Sequence, residues 1–131
     1  MPNFLFYLAD GNRFTPENLD KEHSTVLIYF KTDCPFCGKE AELISKNLEA
    51  FKQVDFIFIS RADTVNCRQF AANHHLCNTK GVKFLQDRDR NYYKYYTASY
   101  TPSIHIYDKH RKLELFKEGV VNKDELLQYT H

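Results

Sequence analysis

Apolar residues along this chain fall into runs with strand spacing and runs with helix spacing. Continuous or alternating apolar runs predict strands at residues 4–8, 26–30, 54–59, 103–107 and 112–116. The run at 26–30 is apolar throughout, as expected for a strand that is buried on both faces of a sheet. Residues 82–85 fit either a short strand or an extended loop.

Helical spacing and capping residues predict helices between these strands. The predicted helices cover residues 16–19, 35–51, 64–74, 89–98 and 123–129. Thr15, Asp63 and Asn122 are the expected N-caps of the first, third and fifth of them, because such side chains accept hydrogen bonds from free N–H groups of a first turn. Strands therefore alternate with helices, which is the pattern of an α/β fold.

The size and composition of the chain suit one compact domain. Of its 131 residues, 43% are hydrophobic and 15% aromatic, which is enough to fill one core. We therefore expect a single domain over residues 1–131, acting as a monomer. Lysine and arginine total 18 against 17 acidic residues, so the charge predicts no nucleic acid or anionic membrane as a partner.

The first residues carry no recognisable export segment. The N-terminus lacks the basic segment and long apolar stretch of a signal peptide, and no apolar run approaches the ~20 residues of a membrane span. We therefore expect no membrane insertion by this chain. A predicted strand begins at residue 4, which suits a domain excised from a longer precursor.

The most informative motif is a cysteine pair, Cys34 and Cys37, where the strand at 26–30 gives way to a helix. A thiol at a helix N-terminus faces unpaired backbone N–H groups and the positive end of the helix dipole, and both favour the thiolate. The two intervening residues, Pro35 and Phe36, let the second sulfur reach the first within one helical turn. One cysteine would attack a disulfide and the other would resolve the mixed disulfide. Half of a zinc site, or a pair of buried structural cysteines, has the same spacing.

The order of elements around this motif resembles the thioredoxin fold. A strand leads into the C-x-x-C helix, another strand and helix follow, and Thr101-Pro102 leads into a hairpin and a final helix. More narrowly, the chain is similar to the TlpA/ResA-like redoxins. The further matching features are residues 6–11 ahead of the core, Glu40 three residues after the second cysteine, the insertion between Ile59 and Lys83, and the segments 87–89 and 100–108.

This resemblance implies a fold and a reaction. The fold would be a central mixed β-sheet flanked by helices, with an N-terminal extension and a helical insert before the half that contains the cis-proline. The reaction would be thiol-disulfide exchange, with Cys34 as the nucleophile and Cys37 as the resolving thiol.

The resemblance also implies where substrates bind and where the protein works. The peptide bond before Pro102 would be cis and lie against the dithiol, and the substrate-binding residues would be Pro35, Phe36, Thr101 and Pro102. The partners would be protein thiols or disulfides and a separate redox protein, with no metal or organic cofactor. The family implies an extracytoplasmic location, whereas the lack of an export signal leaves the cytoplasm as the alternative.

One residue beside the motif departs from the family pattern. Asp33 stands where thioredoxin-like proteins commonly carry tryptophan, and the chain has no tryptophan. A carboxylate there should raise the pKa of Cys34 unless Lys31 or Lys39 offsets its charge.

The residue that assists proton transfer in thioredoxins is also replaced in this chain. Ile28 stands where thioredoxins carry a buried aspartate that assists proton transfer from the resolving thiol. Glu40 is a candidate for that role because it lies one helical turn from Phe36 and Cys37. The alternative is a solvated carboxylate on the helix surface.

Two other functions are compatible with the sequence. Peroxiredoxins share the fold, but they carry threonine or serine three residues before the reactive cysteine, where this chain has Lys31. A metal-binding chaperone would use Cys34, Cys37 and a distant histidine to hold a soft metal such as Cu(I).

Two further cysteines and a histidine pair lie in the predicted insert. An unbroken helix would hold Cys67 and Cys77 about 15 Å apart, so we expect free thiols unless the helix ends early and the chain folds back. Adjacent histidines on a helix point in different directions, so we expect His74 and His75 to face solvent rather than to bind one metal ion.

Overall fold

Seven strands form one mixed sheet in the part of the chain that this computed structural model describes, residues 1–90, 92–96 and 100–130. The strands are β1 (Phe6–Tyr7), β2 (Arg13–Phe14), β3 (Ser24–Tyr29), β4 (Val54–Ser60), β5 (Val82–Gln86), β6 (Ser103–Tyr107) and β7 (Leu113–Glu118). Their order across the sheet is β2-β1-β5-β4-β3-β6-β7.

The centre of the sheet combines parallel and antiparallel pairs. β3, β4 and β5 run parallel, whereas β6 pairs antiparallel with β3 and β7 pairs antiparallel with β6. Every residue of β3 is buried, as the apolar run at 26–30 predicts for a central strand. The mixed sheet and its flanking helices confirm the predicted thioredoxin fold.

The helices are α1 (Pro35–Lys46), α2 (Thr64–Asn73), α3 (Tyr92–Tyr95) and α4 (Lys123–Tyr129), with short 3-10 helices at Pro16–Asn18 and Leu48–Phe51. α1 ends earlier than the predicted 35–51 because Asn47 leaves helical geometry and its side-chain amide donates to the Leu43 carbonyl at 2.7 Å. α3 is shorter than the predicted 89–98; residues 91 and 97–99 of this region lie outside the described part.

The sheet differs from the prediction mainly at its N-terminal edge. The strand predicted at 4–8 shrinks to two residues in β1, and β2 was not predicted because a two-residue strand shows no alternation. Residues 82–85 form a strand, β5, because they pair in parallel with β4.

The sheet buries apolar residues on both faces. On one face, residues of α1, α2 and α4 pack over β3 and β4; Ala41 and Ile44 are the α1 members, each with no exposed surface. On the other face, α3 and the N-terminal residues pack over the same strands, with Phe4, Phe6 and Tyr92 as the largest contributors. Burial of its inner face fixes α1 on the sheet, so the start of α1 is held at the C-terminal end of β3.

The helices of the described residues are not of the membrane-spanning kind. None of them is both long enough and apolar enough to cross a bilayer.

Candidate redox site at the start of α1

Cys34 is the N-cap residue of α1. Its backbone is extended, with φ −95° and ψ 114°. Pro35 occupies the first helical turn, where backbone N–H groups have no partner within the helix, so the N–H that proline lacks costs no hydrogen bond. The Cys34 Sγ atom accepts a hydrogen bond from the Cys37 N–H at 3.2 Å. The sulfur thus takes the place that a serine or aspartate oxygen usually holds in a helix cap.

The Thr101–Pro102 loop lies against the same sulfur. The peptide bond between these two residues is cis. The Thr101 hydroxyl donates to the Cys34 Sγ atom at 3.4 Å, and the Cys34 thiol donates to the Thr101 carbonyl oxygen at 3.5 Å. The structure therefore brings together the two segments that the sequence singles out, although 66 residues separate Cys34 from Thr101 along the chain.

The surroundings of Cys34 favour its thiolate. Burial acts to raise the pKa of this thiol, but the hydrogen bonds from Cys37, Thr101 and the backbone of Phe36 outweigh it and lower the pKa below the ordinary value. The expectation that Asp33 raises this pKa is therefore wrong. Asp33 is exposed, so water screens its charge, whereas the hydrogen-bond donors contact the sulfur directly.

Cys37 has the opposite character. It has no exposed surface, and burial together with the neighbouring Cys34 raises its pKa to about 12. The two thiols of the motif therefore differ in both access and acidity. The half-buried Cys34 is the one that a partner can reach in thiolate form, and Cys37 hydrogen-bonds to Cys34 behind it.

Glu40 is buried rather than solvated, so the surface alternative is wrong. Its side chain has no exposed area, its Oε1 atom accepts a hydrogen bond from the Val121 N–H at 2.8 Å, and Oε2 has no hydrogen-bond partner among the described residues. Burial raises the pKa of this carboxyl to about 7, against the opposing effects of the Val121 N–H and of Lys117. The three-residue spacing from Cys37 places both on the inner face of α1.

A cleft of about 670 Å³ opens beside Cys34 between α1 and the end of α2. Pro35 and Cys34 form one wall, and Phe70 and Leu43 supply apolar surface. Phe36 is 57% exposed next to it, with the Lys39 Nζ atom 5.2 Å from its ring centroid. An exposed aromatic ring beside a reactive sulfur is suited to contact a protein partner.

His74 lines this cleft, and sequence reasoning missed its position. Its Nδ1 atom lies 2.8 Å from Glu42 Oε1, and its ring packs on Phe70 with centroids 4.6 Å apart. The prediction that His74 faces solvent is therefore wrong, whereas His75 is exposed as predicted. Gly38 makes the approach possible, since a Cβ atom there would stand 3.1 Å from the His74 ring.

The remaining candidates do not join the site. Cys67 is buried and Cys77 is exposed, and both are free thiols as expected. Within the described residues, no group of three or more His, Cys, Asp or Glu side chains is placed to hold a metal ion. Ile28, at the position of the thioredoxin aspartate, is fully buried among apolar side chains.

Comparison with known proteins identifies the family of this chain. A family model described as the AhpC/TSA family matches residues 1–116. The chain belongs to the AhpC/TSA family. A comparison with curated protein sequences finds no match. The family covers both thioredoxin-like oxidoreductases and peroxidases.

Solved structures with the same fold include several redox proteins. A secreted Mycobacterium tuberculosis disulfide oxidoreductase, homologous to E. coli DsbE, matches with a TM-score of 0.79 and 25% identity over 97% of this chain and 93% of its own. StoA from Bacillus subtilis matches with a TM-score of 0.73 and 17% identity over 98% and 96% of the two chains.

A further match is the thioredoxin domain of thiol-disulfide oxidoreductase BVU-2223 from Bacteroides vulgatus. Its TM-score is 0.77 at 18% identity, over 97% of this chain and 89% of that domain. These likenesses confirm the thioredoxin fold and are consistent with a TlpA/ResA-like redox protein.

Proposed function

We propose that this AhpC/TSA family member exchanges disulfides with protein partners through Cys34 and Cys37. One observation carries the proposal: Cys34 Sγ receives hydrogen bonds from the Cys37 N–H and the Thr101 hydroxyl, while Cys37 is fully buried behind it. This arrangement gives one accessible, activated thiolate and one protected thiol within reach of it, which two-step exchange requires.

The first step joins the protein to its partner. The Cys34 thiolate attacks one sulfur of the partner disulfide, so a mixed disulfide forms and the other partner sulfur leaves as a thiolate. Cys37 then loses its proton and attacks Cys34 Sγ. The Cys34–Cys37 disulfide forms, the second partner thiolate leaves, and two electrons have passed to the partner. In the reverse direction the same steps oxidise a partner dithiol.

Glu40 is the group we assign to the proton of Cys37. Its carboxyl is buried on the same face of α1 and has a pKa raised by burial to about 7, so it can take up or release a proton at neutral pH. The apolar Ile28 cannot do so.

The partner would lie across the two segments that flank Cys34. Pro35 and Phe36 are exposed on one side of the sulfur, and Thr101 and Pro102 form the other side. An extended partner segment beside Thr101 would place its sulfur in line with Cys34.

Peroxide reduction is the second candidate, because the family also covers peroxidases. The sequence opposes it, since Lys31 replaces the hydroxyl residue that peroxiredoxins carry there. Removal of hydrogen peroxide by the reduced protein, at a rate similar to its reaction with a protein disulfide, would favour this candidate.

Trapping of the intermediate tests the proposal. The Cys37→Ser variant should accumulate a mixed disulfide with a reducible protein such as insulin, because nothing resolves the bond. Cys34→Ser should form none, and the Cys37→Ser/Cys77→Ser double variant should accumulate as much adduct as Cys37→Ser. Adducts that persist in Cys34→Ser, or that disappear in the double variant, would contradict the assignment.

We also propose that the protein acts outside the cytoplasm. Support comes from the 25% identical relative, which is secreted. Fractionation of the native cells, with antibody detection of the protein, tests this location, and recovery in the cytoplasm alone would contradict it.

A further inference from the structure

A second cleft, of about 580 Å³, follows the outer edge of β5 and is called here the β5-edge cleft. Its walls come from β1, from α2, from the loop at 76–80 and from β5 itself. It shares no lining residue with the cleft beside Cys34. The proposed exchange reaction therefore makes no use of it.

The edge of β5 is unpaired along most of its length. β1 pairs with β5 at one position only, Tyr7 with Gln86. The chain then leaves the edge of β5 in a turn, in which the Gly11 N–H donates a hydrogen bond to the Leu8 carbonyl oxygen. The neighbouring stretch of β5, residues 82–85, therefore has no strand on its outer side among the described residues. An open edge of this kind can accept one more strand.

The backbone of Phe84 faces this open edge. Gly81 and Asp87, just beyond the two ends of β5, both hydrogen-bond to β4 through backbone atoms, each at 2.8 Å. Alternate residues of a strand direct their N–H and C=O groups to the same side, so the odd-numbered residues between them face β4. The N–H and C=O of Phe84 face outward, and they have no backbone partner in the described part of the chain.

The cleft follows the strand edge rather than one face of the sheet. Val82 and Phe84 point to the α2 side and Lys83 and Leu85 to the other side, yet all four line it. The Phe84 ring stacks on Phe58 with centroids 4.7 Å apart, which holds this backbone in place. A preformed, rigid edge lowers the entropy cost of adding a strand.

The charge around the cleft is of one sign. Arg68, Lys80 and Lys83 line it, all three are exposed, and none forms an ion pair with another described residue. No described aspartate or glutamate lines it. A second copy of this chain would bring the same cations against them, so the charge disfavours pairing between copies and favours an acidic occupant.

We propose that the β5-edge cleft binds an extended acidic segment of a partner protein, which adds to the sheet as a strand beside β5. The Phe84 N–H and C=O would pair with its backbone, and its carboxylates would face Arg68, Lys80 and Lys83. This surface would hold a partner independently of the Cys34 chemistry.

The test is an NMR titration of the full ¹⁵N-labelled chain with a short, capped peptide of alternating glutamate and valine, up to about 1 mM. Amide shifts should concentrate at residues 82–86, and hydrogen exchange of the Phe84 amide should slow. A peptide with lysine in place of glutamate should not bind. The glutamate peptide with N-methyl groups on alternate amides should also fail, because it cannot pair with an edge.

Two variants check the charges. Lys80→Gln and Lys83→Gln should each weaken binding of the glutamate peptide by roughly two- to fivefold, whereas Lys109→Gln, outside the cleft, should leave it unchanged. Three results would overturn the proposal: absence of shifts in β5, equal binding of the N-methylated peptide, or concentration-dependent shifts at 82–86 without peptide. The last result would assign the edge to a second copy.

Discussion

The Glu40 carboxylate accepts a hydrogen bond from the Val121 N–H at 2.8 Å and so ties α1 to the residues that precede α4. Its second oxygen has no partner among the described residues, and the side chain is wholly buried. Burial raises its pKa to about 7. An ionisable group in this position makes the stability of the protein sensitive to pH, and in the proposed exchange reaction it would do the same for the reactivity.

Glu40→Gln should remove a pH dependence of stability. A carboxyl whose pKa rises from 4.5 to about 7 on folding stabilises the protein fully below pH 4.5, and this contribution is lost as the pH rises through 7. As the pH rises across this window, the free energy of unfolding of Glu40→Gln should therefore increase relative to that of the wild type, by on the order of 3 kcal/mol in total. Urea unfolding at a series of pH values measures the difference.

Glu114→Gln is the matched control, because Glu114 is an exposed glutamate on β7. Its curve of unfolding free energy against pH should follow the wild type. If the Glu40→Gln curve also ran parallel to that of the wild type, this would contradict the claim that burial raises the pKa of the Glu40 carboxyl.

Thr101→Val should slow the reaction of Cys34 at neutral pH. The Thr101 hydroxyl donates to Cys34 Sγ at 3.4 Å, and its loss removes one of the groups that lower the pKa of this thiol. Alkylation by iodoacetamide should become roughly three- to tenfold slower, and its pH profile should move to higher pH. The Cys77→Ser background leaves Cys34 as the accessible thiol.

Thr79→Val, which removes a hydroxyl bonded to the Cys77 carbonyl, serves as the comparison for that experiment. Its profile should match the parent protein. An unshifted profile for Thr101→Val would mean that the hydroxyl does not act on the sulfur.

Gly38→Ala should stabilise the protein only when the His74 ring is absent. Alanine stabilises a helix by about 1 kcal/mol over glycine, but here its Cβ would stand 3.1 Å from the His74 ring. His74 would have to shift, which strains its 2.8 Å bond to Glu42, so the gain should vanish in the wild type. In the His74→Ala background the full gain of about 1 kcal/mol should appear in urea unfolding. If Gly38→Ala changed the free energy of unfolding equally in both backgrounds, a contact between its Cβ atom and the His74 ring would be excluded.

Phe36→Ala should impair reaction with proteins and spare folding. The ring is 57% exposed, so its removal should alter the free energy of unfolding by less than about 0.5 kcal/mol. The kcat/KM for insulin should fall several-fold, while the reaction with a small disulfide stays unchanged. Val65→Ala, at a 74% exposed position on α2, should change neither rate. A loss with both substrates would point to the thiols rather than to docking.

The central strands and α1 are predictable because local pattern and packing agree there. The apolar run at 26–30 lies within one or two residues of β3, and the start of α1 at Pro35 follows from the N-cap position of Cys34. The strand β5 is not predictable with the same certainty, since only its pairing with β4 decides between strand and loop.

The environment of individual side chains depends on contacts across the fold. Helical spacing places Glu40 near Cys37, but its burial comes from Val121, which is distant in sequence. His74 bonds to Glu42, and its ring lies close to Gly38, where there is no side chain. Neither contact can be recognised from the hydrophobic and polar pattern of the sequence around His74. The sign of the Cys34 pKa shift likewise depends on Thr101 more than on the adjacent Asp33.

The most direct test of disulfide exchange at Cys34 and Cys37 is a redox titration of the native protein in defined dithiol and disulfide buffers, with thiol trapping and mass spectrometry. Cys34 and Cys37 should pass together from dithiol to disulfide in one reversible two-electron transition, between about −270 and −120 mV. Cys67 and Cys77 should remain free throughout. Separate oxidation of Cys34 and Cys37, or no reversible transition of the pair, would contradict disulfide exchange as the function of this site.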